Sequence, residues 1–244
     1  MDRRWLPGQE LISPARYRLF CLPYAGGAAG IYRSWRHAAP RHIQVCALEL
    51  PGRGSRSRET PYSSLEPLVK ELAVSLGGAL DQPFALFGHS MGGLIAFELA
   101  RALREQGAPQ PAHLFVSAAA SPDTAQDGPP VHNRTDAQIL RKLRDLNGTP
   151  EELLADEELM MLMMPVIRAD FALLETYDYR EEPPLAVPLT VFGGRSDPAV
   201  RPGALAGWRR QSAVGSRLRF FPGDHFFLHS AAAGILGEIA HALG

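Results

Sequence analysis

Only two cysteines occur in 244 residues, Cys21 and Cys46, too few for a disulfide framework. Both sit in apolar runs, "RLFCLPY" and "IQVCALEL", a setting for buried, reduced thiols of a cytoplasmic protein. Neither has a neighbouring group in sequence that would activate a thiol. Charge of one sign is also lacking. The formal net charge is −1, so no broad field draws the chain to nucleic acid or to anionic lipid. No apolar run approaches the roughly 20 residues of a membrane span, and "MDRRWLPGQE" is not followed by the apolar segment of a secretory signal. Internal repeats and low-complexity tracts are missing too. What remains is a globular composition, 45% hydrophobic and 21% charged, of a length that suits one large α/β unit.

Six short apolar runs read as strands: "YRLFCLPY", "IQVCALEL", "FALFGH", "HLFVSAA", "PLTVFGG" and "RLRFFPG". Several are nearly continuous hydrophobics, as expected of strands covered on both faces. Amphipathic stretches such as "LEPLVKELAVSLGGAL" and "LIAFELARALREQG" lie between them. That alternation predicts a mostly parallel, doubly wound α/β sheet.

The alternation breaks between Ser121 and Pro184, where only helix signals occur. Thr135 and Gln138 form a capping-box pattern, Ile139, Leu140, Leu143 and Leu146 share a face, and Asn147-Gly148 is a stop. A second start follows, with Thr149 as cap, Pro150 at the first helical position and Glu152 three residues after the cap. The longer run "EELMMLMMPVIRADFALLETYDY" predicts a helix that Pro165 should kink or split. The expected organisation is a core of residues 1–120 and 185–244 with a helical lid, 121–184, inserted into it.

Within "PFALFGHSMGGLIAFELARAL" a strand runs into Gly88-His89-Ser90-Met91-Gly92 and then into a helix. Strand, glycine-flanked serine, helix is the context of a nucleophile elbow. Glycine fits two residues before and after the serine because side chains there would collide with the neighbouring strand and helix. The Ser90 hydroxyl then lies near a helix N-terminus, where free N–H groups favour developing negative charge. A serine needs a base and an orienting acid, and in this arrangement they follow in the order Ser, Asp or Glu, His. Asp197 in "LTVFGGRSDPAV" and His225 in "FFPGDHFFLH" occupy loops after predicted strands, at the sheet edge where Ser90 emerges. Asp224 adjoins His225 too closely in sequence to orient its ring. His229 stands four residues beyond His225 without the glutamate of a zinc-protease pattern, so no metal is expected. His89 should point away from the serine hydroxyl. The oxyanion donors are expected to be the N–H groups of Met91 and Ala25, the latter in the glycine-rich "PYAGGAAG".

Together "LFCLPYAGG", "ALELPGRGSR", "PFALFGHSMGG", "LMMLMMPVIRADFALLETY", "VFGGRSDPAV" and "FPGDHFFL" span nearly the whole chain. In this order they resemble the type II thioesterases that accompany modular polyketide and nonribosomal peptide synthetases. The resemblance implies an α/β-hydrolase fold and hydrolysis of stalled or mis-primed acyl thioesters on the 4'-phosphopantetheine arm of acyl or peptidyl carrier proteins. It implies no bound cofactor and carries the same roles to Ser90, Asp197, His225, Ala25 and Met91. Four of the six methionines, Met160, Met161, Met163 and Met164, fall in the lid and either line an acyl tunnel or simply pack a helix. Arg53, Arg56 and Arg58 of "PGRGSRSRE" either meet a phosphate or an acidic carrier helix or are solvated loop charge. A stand-alone carboxylesterase or lipase and an acyltransferase of the same fold would carry the same triad, whereas a non-enzymatic binding relative has no chemical need for Ser90, Asp197 and His225 together. A monomer is expected.

Overall fold

The computed structural model describes residues 2–11, 15–124, 129–148 and 151–244. All six expected strands form: β1 (Tyr17–Leu22), β2 (Ile43–Ala47), β3 (Phe84–His89), β4 (His113–Ser117), β5 (Leu189–Gly194) and β6 (Ser216–Phe221). Their order across the sheet is β2-β1-β3-β4-β5-β6, and every named pair is parallel. Strand order reverses between β1 and β3, so the crevice above their carboxyl ends is the topological switch point.

Continuous apolar strands arise because both faces of the sheet are covered. Along β3, Phe84 and Leu86 enter one buried cluster while Ala85 and Phe87 enter the other, the two-residue alternation of a strand. Helix α1 (Arg33–Ala38) lies on the second face. Helices α2 (Leu65–Leu76) and α3 (Met91–Glu105) cover the first, each through its apolar stripe: Leu68, Leu72 and Leu76 of α2 meet Leu94, Ile95 and Leu99 of α3 in one cluster. Each fully buried leucine contributes about 1.5–3 kcal/mol.

Between β4 and β5 the regular elements among the described residues are three helices, α4 (Asp136–Leu146), α5 (Glu151–Leu154) and α6 (Glu157–Glu175), followed by an isolated bridge from Leu185 to Ser212. The capping box at Thr135 is made, with Gln138 Oε1 accepting the Thr135 N–H at 3.2 Å. Asn147 ends α4 in the left-handed conformation, φ 57°. The start expected at Thr149 and Pro150 lies outside the described residues. Pro165 does not split α6, which runs through it for 19 residues. The carbonyl four residues earlier, which loses its donor to the proline, belongs to Met161, 73% exposed and so within reach of water. Ile139, Met164, Ile167 and Phe171 give these helices a small core of their own. The chain closes with α7 (Pro202–Ala206), then β6, α8 (Phe227–Ser230) and α9 (Ala232–Leu243), whose Ile235, Leu236 and Ile239 pack beneath the second face. Among the described residues no helix is long and apolar enough to cross a membrane.

Candidate active site

Ser90 occupies the turn from β3 to α3 with φ 52° and ψ −117°, a conformation that costs a non-glycine residue of order 1–3 kcal/mol. The strain is held by close packing. A Cβ on Gly88 would lie 1.9 Å from the Gly92 carbonyl oxygen, and one on Gly92 would lie 2.2 Å from that of Leu22. The Ser90 N–H donates to the Ser117 carbonyl on β4 at 2.7 Å, which anchors the elbow to the neighbouring strand.

The two other expected residues arrive from loops beyond the carboxyl ends of β5 and β6. Those loops are stitched together: the Arg195 N–H donates to Phe221 O and the Ser196 N–H to Gly223 O, both at 2.9 Å. A Cβ on Gly194 would fall 2.4 Å from the Asp224 carbonyl oxygen. Asp197 Oδ2 consequently lies 2.9 Å from His225 Nδ1, and His225 Nε2 lies 3.0 Å from Ser90 Oγ. The second Asp197 oxygen accepts the N–H groups of Ala199 at 2.8 Å and Val200 at 3.2 Å. That fixes which oxygen faces the imidazole. With the Asp197 side chain 1% exposed, the carboxylate faces the ring through a water-excluded gap. A carboxylate at Nδ1 selects the tautomer protonated there and leaves Nε2 free to take the Ser90 proton.

Two N–H groups next to this relay have no protein acceptor among the described residues: that of Met91, the first residue of α3, and that of Ala25 after β1. The Ala25 loop is a turn in which Gly27 N–H donates to Tyr24 O at 2.9 Å and Gly26 has φ 75°. A positive φ at the third position is the signature of a type II turn and explains the glycine there.

His89 is turned away from the serine hydroxyl, as expected, but it has work of its own. It is fully buried; its Nδ1 accepts the Ser117 hydroxyl at 2.9 Å and its Nε2–H donates to the His225 carbonyl at 2.8 Å. Burial and the neighbouring His225 hold its pKa well below the ordinary histidine value, which keeps it neutral. Asp224 spends its oxygens on the Phe226 N–H and the Asn147 side-chain amide, and His229 Nε2 is 3.2 Å from the Tyr24 hydroxyl.

The arginine expectations are corrected in part. Arg58 is exposed, whereas Arg53 and Arg56 are neither solvated nor presented to a partner, being 5% and 3% exposed. Arg56 pairs with Glu59 and stacks 4.1 Å over the Trp5 ring; Arg53 pairs with Asp170 of α6. Sequence reasoning missed the Arg53–Asp170 pair, whose two members lie in separate segments of the family resemblance, "ALELPGRGSR" and "LMMLMMPVIRADFALLETY". The four methionines of α6 divide. Met160 and Met164 are buried, Met163 packs partly against the small core of the helical segment, and Met161 points outward. Burial of this kind is what helix packing produces. Cys21 and Cys46 are free and buried, the second with its thiol pushed up to about 12 by burial.

The helical segment reaches the core on both flanks of Ser90. A Cβ on Gly148 would meet the Phe226 ring at 2.0 Å, and Asn147 Nδ2 donates to Asp224 Oδ2 at 3.0 Å. A cavity of about 430 Å³ opens there, between Arg144, Asn147, Glu151 and Leu154 on one side and Phe226 and His229 on the other. On the opposite flank α6 meets the Ala25 loop.

A family model described as "Thioesterase domain" matches residues 17–243. The chain is similar to linear gramicidin dehydrogenase LgrE of Brevibacillus parabrevis, 42% identical over 98% of this chain and 92% of that protein. Among solved structures it resembles the RedJ thioesterase of the prodiginine pathway in Streptomyces coelicolor, with 35% identity, a TM-score of 0.89, and 99% and 100% of the two chains covered. The type II thioesterase BorB from the borrelidin biosynthetic cluster gives 37% identity, a TM-score of 0.90, and 99% and 98% coverage. The first of these names speaks of a dehydrogenase. A serine oxygen 3.0 Å from an imidazole that a carboxylate faces from the other side is the arrangement suited to acyl transfer.

Proposed function

Because this chain belongs to the thioesterase family and is a thioester hydrolase, we propose that it frees acyl groups from the phosphopantetheine arm of acyl or peptidyl carrier proteins, with Ser90 as nucleophile. The observation that carries the assignment is the unbroken relay from Asp197 Oδ2 through His225 to Ser90 Oγ, at 2.9 and 3.0 Å. RedJ and BorB, whose names place them in biosynthetic pathways, support the carrier-bound substrate.

The steps follow from the geometry. His225 Nε2 takes the Ser90 proton as Oγ attacks the thioester carbonyl, and Asp197 stabilises the imidazolium that forms. Negative charge develops on the former carbonyl oxygen, where the Met91 and Ala25 N–H groups donate to it. One such donor is typically worth about 3 kcal/mol. Collapse expels the thiol of the arm, which receives the proton from His225. Water then attacks the acyl-Ser90 ester with His225 again as base, releasing the acid and restoring the serine. The arm arrives on the carrier, and these steps draw only on side chains and backbone already in place.

The helices of 121–184 act as a lid over this site in the same reading, since they contact the core at both the His225 and the Ala25 flank. The enzyme works in the cytoplasm, in keeping with two free buried thiols, and as a monomer. The role is removal of stalled or wrongly primed groups that block a synthetase.

Mass spectrometry of an acetyl-phosphopantetheinyl carrier protein tests the assignment. Wild type removes the acetyl group, while Ser90→Ala, about 10⁶-fold slower, leaves it in place. Cleavage of small esters with an untouched acyl carrier would replace this reading with that of a free esterase.

A further inference from the structure

The loop that carries Ala25, the loop after β2 and the lid helix α6 converge on one buried carboxylate. Arg53 grips Asp170 with two parallel hydrogen bonds, Nη2 to Oδ1 and Nη1 to Oδ2, each 2.7 Å. The side chains are 4% and 1% exposed. Asp170 Oδ2 also accepts the Gly26 N–H at 2.7 Å, and Arg53 Nη1 reaches the Gly27 carbonyl at 3.2 Å. A third contact points the same way, because a Cβ on Gly26 would lie 3.4 Å from Ile167 of α6.

Burying two charges carries a desolvation penalty that their attraction often only offsets, so an apolar pair of similar volume would serve packing equally well. An apolar pair could not accept the Gly26 N–H. That hydrogen bond holds the third residue of the turn whose second residue, Ala25, offers a free N–H to the reaction. We propose that Asp170, itself oriented by Arg53, is a positioning residue for the oxyanion hole: it holds the turn so that the Ala25 N–H faces the oxygen on which charge develops. The inference rests on the thioesterase mechanism above and deepens it. Donors of this kind work only when already aimed, and small displacements are costly. Because the acceptor belongs to α6, the lid helix becomes part of the oxyanion hole without touching substrate.

The test uses the full chain, an acetylated carrier protein, and a trifluoromethyl ketone isostere of acetyl-pantetheine that Ser90 converts to a tetrahedral adduct. In Arg53→Met/Asp170→Leu both charges leave together, so no unpaired ion stays buried. The expected result is a fall in kcat of about tenfold or more, an equal fall in affinity for the ketone, and a KM within about twofold of wild type. A folded double variant with wild-type kcat and ketone affinity would overturn the proposal. Should that variant fail to fold, Arg53→Lys decides, since it keeps the charge and loses the two-pronged grip. Parallel losses of about threefold or more in kcat and ketone affinity support positioning, whereas unchanged values, or a change confined to KM, overturn it. Wild-type protein that neither deacylates the carrier nor binds the ketone would instead remove the underlying mechanism, whatever the variants do.

Discussion

Gly88 and Gly92 touch: a single methyl group on the first would sit 1.9 Å from the carbonyl oxygen of the second. No side-chain rotation can relieve that overlap, because both partners are backbone. Gly88→Ala must therefore move the start of α3, and with it the Met91 N–H. The expected loss of stability is about 2–3 kcal/mol, as for other forced overpacking. Activity should fall far beyond what the unfolded fraction explains. Urea unfolding alongside kcat at the same temperature checks this, and an active, fully stable variant would show that the elbow can shift without consequence.

Ser90 sits at φ 52° and ψ −117°, where alanine is as strained as serine and glycine is not. Replacement by either is expected to abolish turnover, yet the two should differ in stability. Ser90→Gly is expected to exceed Ser90→Ala by about 1 kcal/mol, the relief of strain less the extra chain entropy of glycine. Thermal melts of the two variants side by side give the answer, and equal midpoints would mean the backbone carries no strain here.

Asp197 Oδ2 lies 2.9 Å from His225 Nδ1, on a side chain 1% exposed, and in the proposed mechanism it orients that ring. Asp197→Asn keeps the shape but offers an amide N–H or a neutral oxygen in place of the carboxylate, favouring the wrong imidazole tautomer. The expected fall in kcat is about 10⁴-fold with little change in KM. Single-turnover deacylation of a loaded carrier measures it, and a loss below tenfold would assign the orienting role elsewhere.

Acid stability should depend on His113, whose ring stacks on Phe115 at 4.3 Å with Nε2 2.8 Å from Thr190 Oγ1. Burial lowers its pKa from 6.5 to about 4. The unfolded chain accepts this proton near pH 6.5 and the folded chain only near pH 4, so the contribution is intact above 6.5 and is lost as pH falls between those values. His89 acts in the same direction. In His113→Gln the drop in unfolding free energy between pH 7.5 and pH 5 should be smaller than in wild type. An equal drop would refute the role of this histidine.

The local features were legible for local reasons. Strands buried on both faces announce themselves as unbroken apolar runs, as β1, β3, β4 and β5 do, and the more exposed edge strand β6 also formed where "RLRFFPG" indicated. The elbow was legible because a strand, a turn too tight for side chains and a helix occupy consecutive residues. Asp197 and His225 followed from a rule of parallel sheets, which bring the loops after the strands to one edge. Pro165 misled in part. A proline inside a helix removes one hydrogen bond, and at Met161 the deprived carbonyl lies on the solvent side. The arginines of "PGRGSRSRE" misled for a different reason: charge in a glycine-rich loop reads as solvated until something is found to bury it.

By itself, then, the sequence determined the strand-and-helix order, the strained serine turn and the chemical types available at the sheet edge. Each of these depends on residues within one or two elements. Only the tertiary structure decided that Arg53 and Asp170, 117 residues apart, share a buried pair, that His89 holds the His225 carbonyl across 136 residues, and that the methionines of α6 divide between core and solvent. Those outcomes depend on where α6 and the loop after β6 cross the sheet. Crossing points follow from the packing of whole faces against one another, and no short stretch of residues encodes them.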